Sequence, residues 1–246
     1  MEEKINMISL CVPSRGRPER AKLMRESAMD TAKDPDNLEI LWYLNKDDKS
    51  LKQYQKYFWP NVEIGPHQST CMSWNQLAHK ATQPIVALMG DDVLFQSQDW
   101  DLEIKKEYDL ASDPMLMVVP YTGRPRGYTT AQKSAKERYV VPANEKINAP
   151  HYAVSREWVK YFGYLCSPMF WHFYVDTYTQ IMASRVSRCI YRPNIVWRTK
   201  KLDDSTTQEV RDHLNIRERD TWVWKNCSRQ LEADVEYLKR YIKKQG

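Results

Sequence analysis

The run Pro84-Ile85-Val86-Ala87-Leu88-Met89-Gly90-Asp91-Asp92-Val93-Leu94-Phe95 constrains this chain more than any other stretch. An apolar run of that length with no alternation is what a strand covered on both faces requires, and parallel sheets carry helices on both faces. The run breaks at Gly90, and two adjacent carboxylates follow before apolar residues return. The carboxyl ends of buried parallel strands are where open α/β sheets bind ligands. Paired carboxylates there are also hard oxygen donors of the kind that Mg²⁺ or Mn²⁺ takes together with phosphate oxygens.

The residues before this run repeat the same grammar. Residues 6–12 read as a strand stopped by Pro13-Ser14-Arg15-Gly16-Arg17-Pro18, and Pro18 opens a helix over 19–31. Residues 38–44 read as a second strand, closed by Asn45-Lys46-Asp47-Asp48 and a polar helix ending near Phe58. A short strand over 61–64 and a helix capped by Ser69 lead into the buried run. Alternating strands and helices with short connections predict an α/β fold with a mostly parallel central sheet and helices on both faces. Right-handed crossovers then bring the loops after the strands to one edge, so Arg15/Arg17, Asp47/Asp48 and Asp91/Asp92 are expected to converge.

The second half is less regular. A helix over 99–110, a strand over 115–119, a long polar loop over 121–139 and a strand over 152–154 are expected, then a short helix between Ser155 and Gly163. Residues 172–183 read as a helix, 188–191 and 194–196 as separate extended pieces, and 217–244 as one charged helix bearing Trp222, Val223, Leu231, Val235, Leu238 and Ile242.

Several classes are excluded or left without support. The five cysteines are scattered with no CxxC pair, which speaks against structural zinc and redox dithiols. There is no GxGxxG, Walker A, HExxH or GxSxG sequence. No apolar run approaches the ~20 residues needed to span a bilayer, and no secretory leader is visible. A soluble, cytoplasmic protein is therefore expected, in the host cytoplasm if the chain is phage-encoded. The net charge of +5 is unevenly spread. Residues 13–25 hold five cations against Glu19, residues 123–138 five against Glu137, and residues 181–201 six with no acid. Segregated positive charge points to anionic partners, either phosphates or a nucleic-acid backbone.

Taken in order, the strand with Pro13-Ser14-Arg15-Gly16-Arg17-Pro18, the strand with Asp47-Asp48, the helix with Asn75 and the strand with Gly90-Asp91-Asp92 resemble a GT-A glycosyltransferase. The similarity is to small soluble family-two-like enzymes of bacteria and phages, and it covers residues 5 to about 205, most of the chain. It implies a Rossmann-like GT-A domain over 1–205, with a donor half over about 1–120 and an acceptor half over about 121–205. Residues 206–246 would then be a C-terminal helical extension packed on that domain. It further implies a nucleotide-sugar donor, usually a UDP-sugar, with Mn²⁺ or Mg²⁺ bridging its diphosphate. Carried over by position, Asp92 matches the metal ligand and Asp91 its neighbour toward sugar or ribose. Pro13, Ser14 and Arg17 match the first nucleotide-binding loop, Asp47 or Asp48 lies near the base, and Arg15 suits phosphate oxygens.

The segment Phe170-Trp171-His172-Phe173-Tyr174-Val175-Asp176 resembles the acceptor helix of these enzymes, which makes Asp176 the general base of an inverting transfer. Trp171, His172 and Tyr174 would border the acceptor, with Trp171 and Tyr174 stacking on a sugar or base. The chain departs from the pattern where relatives carry a metal-binding His. Arg198 stands there, and a guanidinium does not ligate cations; His213, a water or direct neutralisation of the diphosphate by Arg198 and Lys200 are the alternatives. For the acceptor, the basic segments with Arg124 and Arg126 and the interleaved Tyr121, Tyr128, Tyr139, Tyr191 and Trp197 suggest double-stranded DNA carrying a hydroxymethylated base, as some phage enzymes use. A cell-surface glycan precursor is the competing acceptor. Metal-dependent nucleotidyl transfer and a non-catalytic DNA-binding protein are the competing functions.

Overall fold

The computed structural model describes residues 8–58, 60–123, 136–199 and 215–245. Its first half follows the strand–helix alternation. β1 (Ile8–Ser14), β2 (Leu38–Asn45), β3 (Val62–Gly65) and β4 (Ile85–Leu88) are joined through α1 (Pro18–Thr31), α2 (Leu51–Phe58) and α3 (Thr70–Lys80). These four strands pair in parallel in the order β3-β2-β1-β4. Ser69 caps α3 as its sequence suggests, accepting from the Met72 amide at 3.2 Å.

The second half extends the same sheet. It comprises β5 (Val93–Phe95), α4 (Trp100–Leu110), β6 (Met117–Tyr121), β7 (Tyr139–Val140), β8 (Tyr152–Ser155), α5 (Arg156–Phe162), α6 (Val175–Ser184), β9 (Cys189–Thr199), α7 (Ile216–Asn226) and α8 (Ser228–Gln245). The sheet order continues from β4 through β8, β6 and β9 to β5, with β7 on β9. Among the described residues six of nine strands run one way, and only β5, β7 and β8 oppose them.

Period-two alternation sends each strand's side chains to two separate cores. On one face Ile8, Leu10, Val12, Trp42 and Ala87 pack with α1, α2 and α4. On the other, Cys11, Tyr43, Val86, Leu88 and Val154 pack with α3, α5, α6 and α8, the last through Leu231, Val235 and Leu238. Helices therefore cover both faces of the sheet.

Three sequence expectations change. The extended pieces over 188–191 and 194–196 are one strand, β9, whose pairing with β6 slips at Pro120/Tyr121. The helix expected over 172–183 begins only at Val175, because Tyr174 adopts a left-handed φ of 65°. The charged segment over 217–244 is two helices that meet at Cys227.

Candidate functional site

The loops that follow β1, β2 and β4 do meet. Beyond Ser14 the chain reverses at Gly16, whose φ of 67° is left-handed. This turns Arg15 toward the β2 loop and Arg17 toward β4. The Arg15 guanidinium forms a fork on Asp47, with contacts of 2.8 and 3.2 Å. Hydrogen bonding from Arg15 holds the Asp47 carboxyl below its ordinary pKa. Asp48 is buried and ties the loops through their backbones, accepting from Gly16 N–H at 2.8 Å and Ser50 N–H at 2.7 Å.

Asp91 is the fixed centre of this edge. It is 3 % exposed. Ser14 Oγ donates to its Oδ2 at 2.5 Å, and Arg17 Nη2 lies 2.9 Å from its Oδ1. Tyr54 of α2 completes the knot, with its hydroxyl 2.7 Å from Ser14 Oγ and accepting from Arg17 N–H at 2.8 Å. Burial pushes the Asp91 carboxyl up to about 6, against the opposing pull of Arg17 and Ser14. The carboxylate therefore serves as a pin for the Pro13–Arg17 loop, with its oxygens directed inward.

Asp92 is half-buried and sits beside Gly90. A Cβ at Gly90 would stand 2.7 Å from Asp92 Oδ1 and 3.3 Å from His151 Cε1, so a larger residue would push the Asp92 carboxylate from its place. Trp74 of α3 fixes the strand end just before, donating from Nε1 to the Met89 carbonyl at 2.8 Å. Arg198 falls near by register: β5 pairs with β9 so that Val93 faces Thr199 and Leu94 faces Arg198. Its side chain is exposed and passes Gly123, where a Cβ would stand 3.0 Å from Arg198 Cγ. Lys200 and His213 lie outside the described residues, as do Arg124, Arg126 and Tyr128.

A metal fits this edge only sparingly. Among the described residues no group of three or more His, Cys, Asp or Glu side chains could hold one. Asp92 alone is a sufficient protein ligand for Mg²⁺ or Mn²⁺ when substrate phosphates and waters supply the rest.

The segment around Asp176 is built from a distant residue that its own sequence does not reveal. Asp220, on α7, is 0 % exposed. Its carboxylate accepts from the backbone N–H groups of Trp171 (3.0 and 3.2 Å), His172 (2.9 Å) and Phe173 (2.8 Å), and from Arg219 Nη1 at 2.7 Å. The Trp171 carbonyl in turn accepts from Cys71 N–H of α3 at 3.0 Å. Asn75 holds the preceding turn, accepting from the Leu165 and Cys166 amides at 2.9 and 3.0 Å. Asp176 occupies the first turn of α6, where burial raises its pKa. Tyr152 links α6 to the sheet: its hydroxyl lies 3.3 Å from Thr179 Oγ1, and its backbone faces Leu88 of β4.

The aromatic residues are more committed than their sequence suggests. The Arg219 guanidinium covers Trp171 at 4.5 Å, and Tyr174 stacks on Trp224 at 5.3 Å. One face of each ring is thus occupied by protein. His172 Nδ1 is 3.3 Å from Thr70 Oγ1. Tyr191 and Trp197, expected to meet bases, are buried in the two cores. The basic segments change likewise. Arg185 pairs with Glu232, Arg188 with Asp113 at 2.7 Å, Arg138 with Glu107 at 2.8 Å, and the buried Arg192 with both Glu103 and Glu107. These cations serve the fold.

No protein-family model and no curated protein matches this chain. Solved structures do match its fold. The mannosyltransferase PcManGT from Pyrobaculum calidifontis, in complex with GDP-Man and Mn²⁺, superposes with a TM-score of 0.60 at 15% identity over 80% of this chain and 58% of its own. Residues 1–349 of S. aureus TarS, in complex with UDP-GlcNAc, superpose with a TM-score of 0.60 at 12% identity over 82% of this chain and 60% of theirs. The chain thus spans about three fifths of those two solved chains, and 40% of a longer TarS chain. Its fold is of the GT-A glycosyltransferase type.

Proposed function

We propose that this protein is a glycosyltransferase that uses a nucleotide-sugar donor, a UDP-sugar in the first instance. The observation that carries this reading is the meeting of three polar loops, Ser14–Arg17, Asp47–Asp48 and Asp91–Asp92, at the carboxyl ends of adjacent parallel strands. The fold supports it, since the likenesses include structures that hold GDP-Man with Mn²⁺ and UDP-GlcNAc.

In this reading Pro13 to Arg17 shape the wall of the donor site, Asp47 lies toward the base, and Arg15 and Arg198 meet diphosphate oxygens. Asp92 would hold Mn²⁺ or Mg²⁺, which when bound offsets the diphosphate charge. Asp176 acts as general base of an inverting transfer. The acceptor oxygen bonds to the anomeric carbon, and the bond from that carbon to the diphosphate breaks. The hydroxyl proton passes to Asp176, and the electron pair leaves with the nucleoside diphosphate. Burial of Asp176 supports this role by raising its basicity.

A glycan acceptor fits the described residues better than DNA. The DNA reading drew on cations of which Arg138, Arg185, Arg188 and Arg192 are engaged with acids of the same chain. Nucleotidyl transfer by two metals would call for more converging carboxylates than Asp92 beside an inward-turned Asp91. Among the described residues no helix is long and apolar enough to cross a membrane.

Thermal unfolding with a panel of nucleotide sugars, with and without Mn²⁺, tests the reading. A donor present at 100 times its Kd should stabilise by about 2.7 kcal/mol, or roughly 5–10 °C for a chain of this size. Asp92→Asn should abolish release of nucleoside diphosphate while leaving the melting temperature of the unliganded protein within a few degrees. Full turnover by that variant would remove Asp92 from its role. A response to nucleoside triphosphates alone, with pyrophosphate release, would overturn the reading.

A further inference from the structure

Trp222 is the residue that neither the fold nor the donor site uses. It was expected on the core-facing side of a helix, yet it is 67% exposed. Tryptophan joins a large apolar ring to a polar N–H and is enriched at contact surfaces for that reason. The ring borders a cleft of about 400 Å³ between the α7–α8 junction and the segment over 164–169.

The lining is mostly apolar, from Trp222, Val223, Met169, Pro168 and Cys227, and Asn226, Gln230 and Asp234 give it a polar margin. Asp234 is half-buried and held rigidly by hydroxyl and amide donors: Tyr178 at 2.7 Å and Tyr164 at 3.0 Å on Oδ2, and Gln230 at 2.8 Å on Oδ1. Among the described residues no cation pairs with it within 4.0 Å. A carboxylate oxygen accepts two hydrogen bonds, so Oδ1 has capacity for another. The amide nitrogens of Asn226 and Gln230 each use one N–H, on the Trp222 carbonyl and on Asp234, so each side chain keeps its carbonyl oxygen and one N–H for a ligand.

An apolar ring face beside fixed hydrogen-bond acceptors suits one ligand class closely. A pyranose has a flat face of C–H groups that stacks on indole, and a rim of hydroxyls that donate to carboxylate and amide oxygens. A phosphate backbone would meet the Asp234 carboxylate and be repelled. An apolar peptide segment would cover these acceptors without satisfying them.

The cleft also adjoins the proposed acceptor side. Met169 leads directly into Trp171 and Tyr174, and Tyr178, which holds Asp234, lies two residues beyond Asp176 on α6. We propose that the Trp222–Asp234 cleft is a subsite for a pyranose unit of an oligosaccharide acceptor, distant from the reacting hydroxyl. This rests on the glycosyltransferase reading for the word acceptor, though not for the sugar.

The test is calorimetric titration of the full chain with β-linked glucose, β-linked N-acetylglucosamine and α-linked mannose oligosaccharides of increasing length, without donor. At least one series should bind, more tightly as length increases. Trp222→Ala and Asp234→Asn should each weaken that binding about tenfold or more, as loss of one stacking or charge-assisted contact requires. Leu110→Ala, which removes another exposed apolar side chain on α4, should leave binding unchanged, with all three variants checked for native circular dichroism. If no series binds, or if Trp222→Ala and Asp234→Asn bind as the parent does, the proposal is wrong. Trp222-dependent binding of a DNA duplex in place of sugars would also overturn it. Oligosaccharide binding with no nucleotide-sugar response at all would instead overturn the glycosyltransferase reading and leave a sugar cleft.

Discussion

Asp220→Asn is the perturbation that best separates the architecture of the acceptor side from its chemistry. The substitution keeps the size of the side chain and removes its charge. In the native protein the carboxylate takes three backbone N–H groups and one guanidinium N–H, all away from solvent on its own side. With its carbonyl oxygen in the place of Oδ2, asparagine can keep the His172 and Phe173 bonds at neutral strength. Its NH₂ group then faces Arg219 and shares the space near Trp171 N–H, where it meets only donors. Hydrogen bonds to charged groups contribute about 1.5–3 kcal/mol and neutral ones about 0.5–1.5 kcal/mol. Two weakened bonds, one lost bond and one partly lost bond together amount to about 3–5 kcal/mol. Arg219 is about one third exposed and can rehydrate, which limits the loss at that end.

Urea unfolding should show the midpoint falling at constant m-value, and thermal unfolding should show a decrease of about 10 °C, since about 2–4 °C accompanies each kcal/mol in a domain of this size. The functional consequence should be selective. The segment over 171–174 loses its anchor while the Ser14–Arg17–Asp91 knot is untouched, so transfer to an acceptor should fall further than hydrolysis of donor. A stability change under 1 kcal/mol would refute the reasoning. It would mean that these amides are satisfied equally well without the carboxylate.

Two more perturbations probe the two halves separately. Arg17→Ala strands the buried Asp91 carboxylate and should destabilise by about 3–5 kcal/mol, whereas Arg17→Ala with Asp91→Asn should recover most of that loss. Additive effects in that double-mutant cycle would show that the pair is not coupled. Asp176→Asn should abolish transfer while leaving donor hydrolysis. In the parent, burial raises the Asp176 pKa; the base is active only when ionised, so the transfer rate should fall as pH decreases through a value above that of an ordinary aspartate. A rate that stays flat down to about pH 4, where an ordinary aspartate is already about half protonated, would remove Asp176 as the base.

The meeting of the loops after β1, β2 and β4 was legible from the sequence because it depends on chain topology. Once β1, β2 and β4 are recognised as parallel neighbours, right-handed crossovers leave their loops at one end. Ser14 then meets Asp91, 77 residues on, and Arg15 meets Asp47, 32 residues on. The acceptor side was not legible in the same way. The helical period of residues 172–183 continues through Tyr174, but the Trp171, His172 and Phe173 amides bond to Asp220, 47 to 49 residues further on. Nothing local to either segment indicates that pairing. Counting cations failed for the same reason. A charge tally treats each arginine as available to a partner, whereas Arg188 and Arg192 meet Asp113 and Glu107 on elements 75 and 85 residues away.

That distinction also orders the arginines of the donor edge, where pairing is not uniform. The Arg17–Asp91 pair is buried on its acidic side, at 2% side-chain exposure, so separating it would leave a charge without solvent. The Arg15–Asp47 pair has its carboxylate 52% exposed. Exposed pairs of this kind contribute about 0–1 kcal/mol, because water replaces either partner readily. A phosphate oxygen that arrives at the edge therefore displaces Asp47 from Arg15 at little cost, and the fork geometry that suits a carboxylate suits a phosphate equally. The same arrival cannot draw Arg17 away without stranding Asp91. On the proposed donor reading, Arg15 is accordingly the cation that would exchange an internal partner for the diphosphate, and Arg17 the one that would keep the loop in place.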